Sequence, residues 1–397
     1  MTRAGTVPEV FLAFLRLGVT SFGGPIAHLG YFRDDLVTRR RWMDDRAYAD
    51  LVALCQFLPG PASSQVGFAM GLQRAGFWGA IVAFLGFTLP SAVLLVAFAA
   101  GASLFGGPVG GGILDGLKIV AVAIVAQAVW GMARSLTPDA PRAGIAVVAA
   151  ALALFAPGAV GQLGALAIGV AAGLVLLREA AEQAGETLPS FGVPRAVAIG
   201  SLVVAAAALV GLPLLAATTG SGLVALADAF FRSGALVFGG GHVVLPLLQG
   251  EVVQTGWVSP DVFLAGYGAA QAVPGPLFTF AAYLGAVSSV GPGGVAGAAV
   301  ALVAIFLPGF LVLVGVLPFW DALRGRPRVR AAMRGANAAV VGILGAALYT
   351  PVFTTAVTGP GPFVLALVGF VLLTAFRAPA WVVVIVGAIG GVIAALL

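Results

Sequence analysis

The sequence predicts an all-α polytopic membrane protein with two inverted-topology repeats and broken or re-entrant helices near the membrane midplane. The apolar composition, an internal repeat and an alternating pattern of basic loops lead to this fold class. Hydrophobic residues make up 60% of the 397 positions and charged residues 9%, against roughly a quarter charged in soluble proteins. Many apolar runs approach the about 20 residues that a spanning helix needs. A soluble enzyme is therefore excluded.

Charge and cysteine content exclude further classes. The net charge of +5 does not indicate nucleic-acid binding, because the basic residues lie in short loops between apolar runs, as cytoplasmic loops of membrane proteins do. Cys55 is the only cysteine and there are two histidines, so we expect no intrachain disulfide, metal site or cofactor. The N-terminus lacks a cleavage site of small residues, and we expect its first apolar run to stay in the mature protein.

The second half of the sequence repeats the first. Residues 14–24 (FLRLGVTSFGG) align with residues 230–240 (FFRSGALVFGG) at an offset of 216, with six of eleven positions identical. QFLPGP at 56–61 aligns with QAVPGP at 271–276. The repeat predicts a first domain over 1–178, a linker with a connecting helix over 179–221, and a second domain over 222–397. Two further aligned pairs are Trp42 with Trp257, and Leu89-Pro90 with Leu307-Pro308.

The basic loops indicate that the two repeats are inverted. The counterpart of the first basic loop, 247–260, contains Glu251 but no Arg or Lys, whereas the uncharged loop 106–112 has a strongly basic counterpart. Cytoplasmic loops are enriched in basic residues, so the equivalent loops lie on opposite sides, as in many secondary transporters. The two basic loops hold Arg33, Arg39, Arg40, Arg41 and Arg46, and Arg324, Arg326, Arg328, Arg330 and Arg334.

The predicted topology has about nine full spans and four re-entrant or broken segments. Segment 47–73 is interrupted by Pro59-Gly60-Pro61, which favours two half-helices. If 8–24, 47–73 and their mates 222–240 and 261–287 dip in and return, every basic loop lies inside. We therefore predict a cytoplasmic N-terminus and an external C-terminus.

Several sequence blocks resemble the signature of the chromate ion transporter family. In the first half these are Phe14–Gly18 with Ser21–Leu29, QFLPGPASSQ at 56–65 and GFTLP at 86–90; in the second half they are FGGGH at 238–242 and the 271–276 block. The resemblance covers nearly the whole chain, in the long two-domain form. It implies a multi-pass protein of a prokaryotic-type plasma membrane that exports chromate and confers chromate resistance. Members differ in substrate, so sulfate remains an alternative.

The Pro-Gly-Pro blocks are candidates for the anion site. Chromate is a tetrahedral oxyanion, and helix N-termini offer N–H donors and a favourable dipole to such ions. Pro61 suits the first turn of a helix, which would place Ser63 and Ser64 there, and Pro276 would start the inverted copy. Two half-helix starts meeting at the midplane would form a binding site. The alternative is that both blocks are structural kinks.

Arg16 and Arg232 are aligned by the repeat within apolar segments. A charge there costs roughly 2.5–3.5 kcal/mol on insertion scales, and arginine binds oxyanions bidentately. The alternatives are snorkelling to a segment end or, for Arg232, a salt bridge with Asp228. The predicted substrate-binding residues are Arg16, Gly23, Gly24, Gln56, Gly60, Ser63, Ser64, Arg232, Gly239, Gly240, Gln271 and Gly275.

His28, His242 and Lys118 are candidates for a proton or anion relay, although Lys118 also lies one turn from Asp115 and fits an ion pair. We expect alternating access about a midplane site, driven by the membrane potential or by exchange. The rival functions are a transporter of sulfate or another oxyanion, an anion channel of the same fold, and a membrane enzyme that reduces chromate. The sequence leaves open whether the chain acts alone or as a homodimer.

Overall fold

The fold is all-helical, as the sequence predicts. The computed structural model describes residues 5–101, 107–156, 158–177, 191–238, 241–320, 322 and 326–396, and these contain no strand. Five helices are long and apolar enough to cross a membrane: Ala62–Gly101, Gly107–Leu136, Arg195–Thr219, Gly294–Phe319 and Pro327–Ala356. The chain is therefore a polytopic membrane protein.

The described part of the first half contains seven α-helices. Thr6 and Glu9 form a capping box at the first of them, and the Asp44 and Asp139 side chains cap the helices that begin at Asp45 and Ala140, so short polar residues fix these helix starts. The helices are α1 (Val7–Thr20), α2 (Gly24–Phe32, continued by a π-helix over Arg33–Arg39), α3 (Asp45–Phe57), α4 (Ala62–Gly101), α5 (Gly107–Leu136), α6 (Ala140–Phe155) and α7 (Gly158–Leu176).

The second half repeats this order of elements after a connecting helix, α8 (Arg195–Thr219), which leaves most of its apolar surface exposed. Its helices are α9 (Gly222–Ala235), α10 (Val244–Leu248, between a 3-10 turn over Gly241–Val243 and a π-helix over Gln249–Val253), α11 (Pro260–Ala270), α12 (Phe280–Val287, after a 3-10 turn over Leu277–Thr279), α13 (Gly294–Val316), α14 (Pro327–Ala347), α15 (Pro360–Thr374) and α16 (Ala380–Leu396).

Helix α4 reverses direction partway along its length. Ala75 and Gly76 have non-helical backbone angles. A Cβ atom on Gly71 would come within 2.5 Å of the Gly79 carbonyl oxygen, so the arms before and after the break pack against each other as a hairpin. Gly285 of α12 and Gly297 of α13 make the equivalent contact in the second half. Small residues permit this close approach.

The hairpins of each half begin and end at one place, which we call the base of that half. In the first base, Arg74 Nη2 lies 2.9 Å from Glu9 Oε1, and the Arg74 guanidinium lies 5.3 Å from the Trp42 ring centroid. In the second base, Gly222 lies against Gly291, and the Ser289 N–H donates to the Trp257 carbonyl over 3.0 Å. In each half, the chain therefore leaves the base and returns to it twice. It returns first at the loop that contains the tryptophan and again at the hairpin reversal.

The two halves exchange helices with each other. Helix α5 packs against α15 and α16, and α14 packs against α6 and α7. A Cβ atom on Gly112 of α5 would come within 2.7 Å of the Gly391 carbonyl oxygen of α16, and one on Gly169 of α7 would come within 2.7 Å of the Gly335 carbonyl oxygen of α14. The halves are therefore interlocked rather than stacked side by side.

Candidate functional site

The two Pro-Gly-Pro turns each contact the opposite half of the chain. The Gly60 N–H donates to the Val237 carbonyl over 2.8 Å, and the Gly275 N–H donates to the Ser21 carbonyl over 2.9 Å. Gly60 and Gly275 are aligned in the repeat, and so are Ser21 and Val237. Each turn therefore donates a hydrogen bond to the opposite half, and the two acceptors, Ser21 and Val237, occupy equivalent positions in the repeat. We call the region around these two hydrogen bonds the central crossing.

A second pair of contacts reinforces the crossing. A Cβ atom on Gly60 would come 2.9 Å from the Gly309 Cα, and one on Gly275 would come 2.8 Å from Ser91 Oγ. Gly60 and Gly275 have φ angles of +116° and +92°, which glycine adopts readily. Gly241 lies against the Pro25 ring, and these two positions are themselves aligned in the repeat. The sequence motifs of both halves therefore converge at one point.

The first Pro-Gly-Pro turn leads into a helix start, as predicted. Helix α4 begins at Ala62, and Ser63 and Ser64 are buried in its first turn. Gln65 Nε2 donates to the carbonyls of Pro59 and Gly309, both over 2.9 Å. This side chain thereby joins the first arm of α4 to its own turn and to the opposite half.

The second turn differs from the first. It leads into a 3-10 turn over Leu277–Thr279 rather than directly into an α-helix, and the buried Thr279 hydroxyl donates to the Pro276 carbonyl over 2.7 Å. The sequence predicts that an α-helix starts at Pro276. In the structure a tighter 3-10 turn comes first, and the α-helix begins only at Phe280.

The remaining predicted ligands of the first half are spread around the crossing. Gly23 and Gly24 have φ angles of +98° and +79° and precede α2, with Gly23 exposed. Gln56 is exposed at the end of α3, and Arg16 is exposed on α1. Among the described residues, none forms an ion pair with Arg16. Gln271 is half-buried, and Gly239 and Gly240 lie outside the described residues.

Arg232 lies between two carboxylates. Its Nη2 atom is 2.9 Å from both Asp228 Oδ2 and Glu251 Oε2, and its Nε donates to Asp228 Oδ1 over 3.0 Å. The salt bridge to Asp228 that the sequence offered as an alternative is therefore present. A direct role of Arg232 in anion binding stays a prediction, and so does that of Arg16.

The three relay candidates have different surroundings. His242 Nδ1 lies 2.7 Å from the Tyr267 hydroxyl. Lys118 Nζ lies 2.6 Å from Asp115 Oδ1 and 2.7 Å from Asp261 Oδ1, which links α5 to the start of α11. His28 is fully buried, and among the described residues its ring nitrogens have no hydrogen-bond partner other than the Ser21 backbone. These contacts do not bring the three side chains together.

Several buried polar atoms near the crossing have no hydrogen-bond partner among the described residues. Three of the side chains concerned, Ser21, Gln65 and Thr88, are absent from the predicted site, although all three lie inside the motif blocks that carry the family resemblance. The position of a residue within a motif could have indicated them, but burial without a partner is visible only in three dimensions. The atoms include Ser21 Oγ, His28 Nδ1 and Nε2, Ser64 Oγ, Gln65 Oε1, Thr88 Oγ1 and Gln271 Nε2.

Metal-ligating side chains are not clustered in the part of the chain that the structure describes. No group of three or more His, Cys, Asp or Glu side chains there is placed to bind a metal ion. Cys55 is buried. The chemistry of the central crossing is therefore that of hydroxyl, amide, imidazole and backbone groups.

Comparison with known proteins identifies the family. The family model for the chromate transporter matches residues 8–177 and 224–392. The chain is 30% identical over 344 residues to a chromate transport protein of Pseudomonas aeruginosa, covering 85% of this chain and 79% of that protein. It is 29% identical to a chromate transport protein of Cupriavidus metallidurans over 96% of this chain and 92% of the relative. No solved structure matches the chain significantly. The chain therefore belongs to the chromate transporter family, a family of transport proteins rather than enzymes.

Proposed function

We propose that this protein is a secondary active transporter that exports chromate across the plasma membrane by alternating access and thereby gives chromate resistance. The observation that carries the proposal is the pair of hydrogen bonds at the central crossing, in which Gly60 donates to Val237 and Gly275 donates to Ser21. It brings a helix start and buried hydrogen-bond donors to a point shielded from lipid, which an anion site requires. The names of the two relatives support chromate as the substrate.

The two repeats, 1–178 and 222–397, are proposed to lie inverted in the membrane. Residues 77–101 of α4 lead away from the first base over about 37 Å towards α5. In the N-terminal half of α5, Lys118 pairs with Asp261, which lies close in sequence to Trp257 of the second base. This route supports bases on opposite faces of the membrane. With the basic first base inside, the helices give nine spans and four re-entrant hairpins, a cytoplasmic N-terminus and an external C-terminus.

The exchanged helices restrict how alternating access proceeds. Because α5 packs on α15 and α16, and α14 packs on α6 and α7, rocking one sequence half against the other would break both sets of contacts. The moving parts are instead the re-entrant hairpins on one side and the exchanged helices on the other. The Gly60 and Gly275 hydrogen bonds join the two halves at the central crossing. In this mechanism, breaking or forming them opens or closes the anion site.

Export follows from the charge of the substrate. Moving one charge across 100 mV is worth about 2.3 kcal/mol, so a dianion that leaves an interior-negative cell gains roughly twice that. The membrane potential alone is therefore a sufficient driving force.

Chromate uptake into inverted membrane vesicles tests the proposal. Vesicles that contain the protein should accumulate chromate when their interior is positive, and vesicles from cells without the protein should not. Absence of this difference contradicts chromate export. Competition by sulfate in the same vesicles measures how far the two oxyanions share the carrier.

The paired arginines are tested in the same vesicles. If Arg16 and Arg232 both contact the anion, Arg16→Ala and Arg232→Ala each lower the initial rate at least fivefold. The amount of folded protein, measured by size-exclusion chromatography, corrects for instability of Arg232→Ala, since this change leaves Asp228 and Glu251 without their shared cation. Normal rates in both variants would show that the paired arginines are not ligands.

A further inference from the structure

Three unpartnered polar side chains lie beside the Gly275 turn. Ser21 follows α1, and its carbonyl accepts the Gly275 N–H. His28 of α2 lies close to the Ser21 backbone, and its ring packs edge-on against Phe87 with centroids 5.3 Å apart. Thr88 follows Phe87 in α4. The carbonyl oxygen of Phe87 lies 3.0 Å from where a Gly275 Cβ would stand, so Ser21 and the residue before Thr88 both contact this turn, and His28 lies against both of them.

These side chains are buried without the bonds that normally accompany burial. Ser21 and His28 are 0% exposed and Thr88 is 1% exposed. Neither hydroxyl oxygen has a hydrogen-bond partner among the described residues, and the His28 ring has none there other than the Ser21 backbone. Buried polar groups are nearly always hydrogen-bonded, and leaving them unpaired is costly. A fold that needed only to fill this space would use apolar side chains.

The other side of the crossing shows that apolar side chains suffice. The positions aligned with Ser21, His28 and Thr88 are Val237, Val244 and Phe306. All three of these are buried, and Val237 accepts the Gly60 N–H in the matching hydrogen bond. The same architecture is therefore built once with polar and once with apolar residues. The polar set is a property of one side and not a requirement of the fold.

We propose that Ser21, His28 and Thr88 are the side-chain donors that bind the transported oxyanion, an assignment that rests on the proposed function. A tetrahedral oxyanion has only acceptor atoms, and two hydroxyls and an imidazole N–H offer three donors to it. The set contains no carboxylate, which favours an anion over a cation.

The start of α2 adds to this donor set. Gly23 is the N-cap residue of α2 and makes no side-chain capping bond, so the first N–H groups of the helix, and the positive end of its dipole, lie two residues from Ser21. Gly23 is exposed, so the buried donors lie next to an accessible part of the crossing. The helix dipole and the hydroxyl donors together offer an oxyanion both positive potential and hydrogen bonds.

Chromate binding to the purified full-length protein tests the assignment. The variants Ser21→Ala, Thr88→Val and His28→Gln are compared with Ser233→Ala as the matched control. Ser233 is also a buried hydroxyl, 1% exposed, but it is satisfied by the Ala229 carbonyl at 2.8 Å. Binding is measured by isothermal titration with potassium chromate, and stability by the thermal unfolding midpoint without chromate.

The expected signature separates binding from structure. Ser21→Ala and Thr88→Val each raise the Kd for chromate at least fivefold, while the unfolding midpoint stays the same or rises, because an unpaired buried polar atom has been removed. Ser233→Ala leaves the Kd unchanged. If the Ser21 and Thr88 variants lower the midpoint and leave the Kd unchanged, the side chains are structural and the assignment is wrong.

Failure of the assignment and failure of the proposed function give different results. Wild-type protein that binds and transports chromate, with all three variants equal to it, overturns the donor set alone. Wild-type protein that neither binds nor transports chromate overturns the proposed function, and sulfate then serves as the probe for the same variants. A fivefold loss of sulfate affinity supports the donor set, whereas sulfate binding unchanged in the variants, or absent from wild type, overturns it.

Discussion

At the scale of single residues, Gly60 and Gly275 connect the two halves through backbone atoms. Their N–H groups donate across the crossing, and their positive φ angles lie in a region that other residues enter at a cost of about 1–3 kcal/mol. Neither position has room for a side chain, because Gly309 and Ser91 lie against them. The sequence indicates a break at each Pro-Gly-Pro, but the partner across the crossing is a tertiary contact that it does not reveal.

Alanine at either turn is therefore expected to weaken the crossing. Gly60→Ala and Gly275→Ala should each lower the thermal unfolding midpoint of the purified protein and reduce chromate uptake into vesicles. Gly30→Ala is the matched control, since no neighbouring atom lies within 4 Å of a Cβ there and alanine favours a helix by about 1 kcal/mol. Equal midpoints in all three variants would contradict the role of the crossing.

The two aligned arginines show where the repeat misleads at this scale. Alignment predicts equal roles for Arg16 and Arg232, but the position equivalent to Asp228 is Leu12. Asp35, which aligns with Glu251, pairs with Arg40 instead, with Nε 2.9 Å from Oδ2. The missing Asp228 equivalent is visible in the sequence, whereas the pairing of Asp35 depends on how the π-helix folds.

At the scale of elements, the presence of a proline does not by itself determine where a helix breaks. The chain breaks at Pro59-Gly60-Pro61, between the end of α3 and the start of α4. Pro90 and Pro308 lie inside continuous helices. The reversal at Ala75 and Gly76 contains no proline and depends on packing between the arms. The Pro-Gly-Pro break is therefore predictable, and the exact point of reversal is not.

The contact between α5 and α16 gives a prediction at the element scale. A side chain at Gly116 would meet the backbone at Gly387, so Gly116→Val should separate the two helices and reduce the yield of monodisperse protein in size-exclusion chromatography. Gly131→Val in the same helix is the control, because no neighbouring atom lies within 4 Å of a Cβ there. Similar elution of both variants would show that this contact is dispensable.

At the scale of the whole molecule, the order of elements was predictable and the exchange of helices was not. Repeated motifs reveal that α9 onwards follows the plan of α1 to α7. The exchange joins α5 to α16, far apart in sequence, and its traces are glycine pairs four residues apart, namely Gly112 with Gly116 and Gly387 with Gly391. Such pairs indicate close helix packing without identifying the partner. Because of this exchange, the parts that move in the proposed transport cycle are the re-entrant hairpins and the exchanged helices, rather than the two sequence halves.

The inverted arrangement gives a prediction about sidedness. With the buried Cys55 replaced by alanine, single cysteines are introduced by Ser135→Cys, before the α5–α6 connection, and Thr255→Cys, in the second base. Both positions are exposed. The Arg134 and Arg142 region is predicted to be cytoplasmic, and the second base external. A membrane-impermeant maleimide should therefore label Thr255→Cys in intact cells but label Ser135→Cys only after permeabilisation, with no labelling of the cysteine-free chain. Equal labelling of both cysteines in intact cells would place the two loops on one face and rule out inversion.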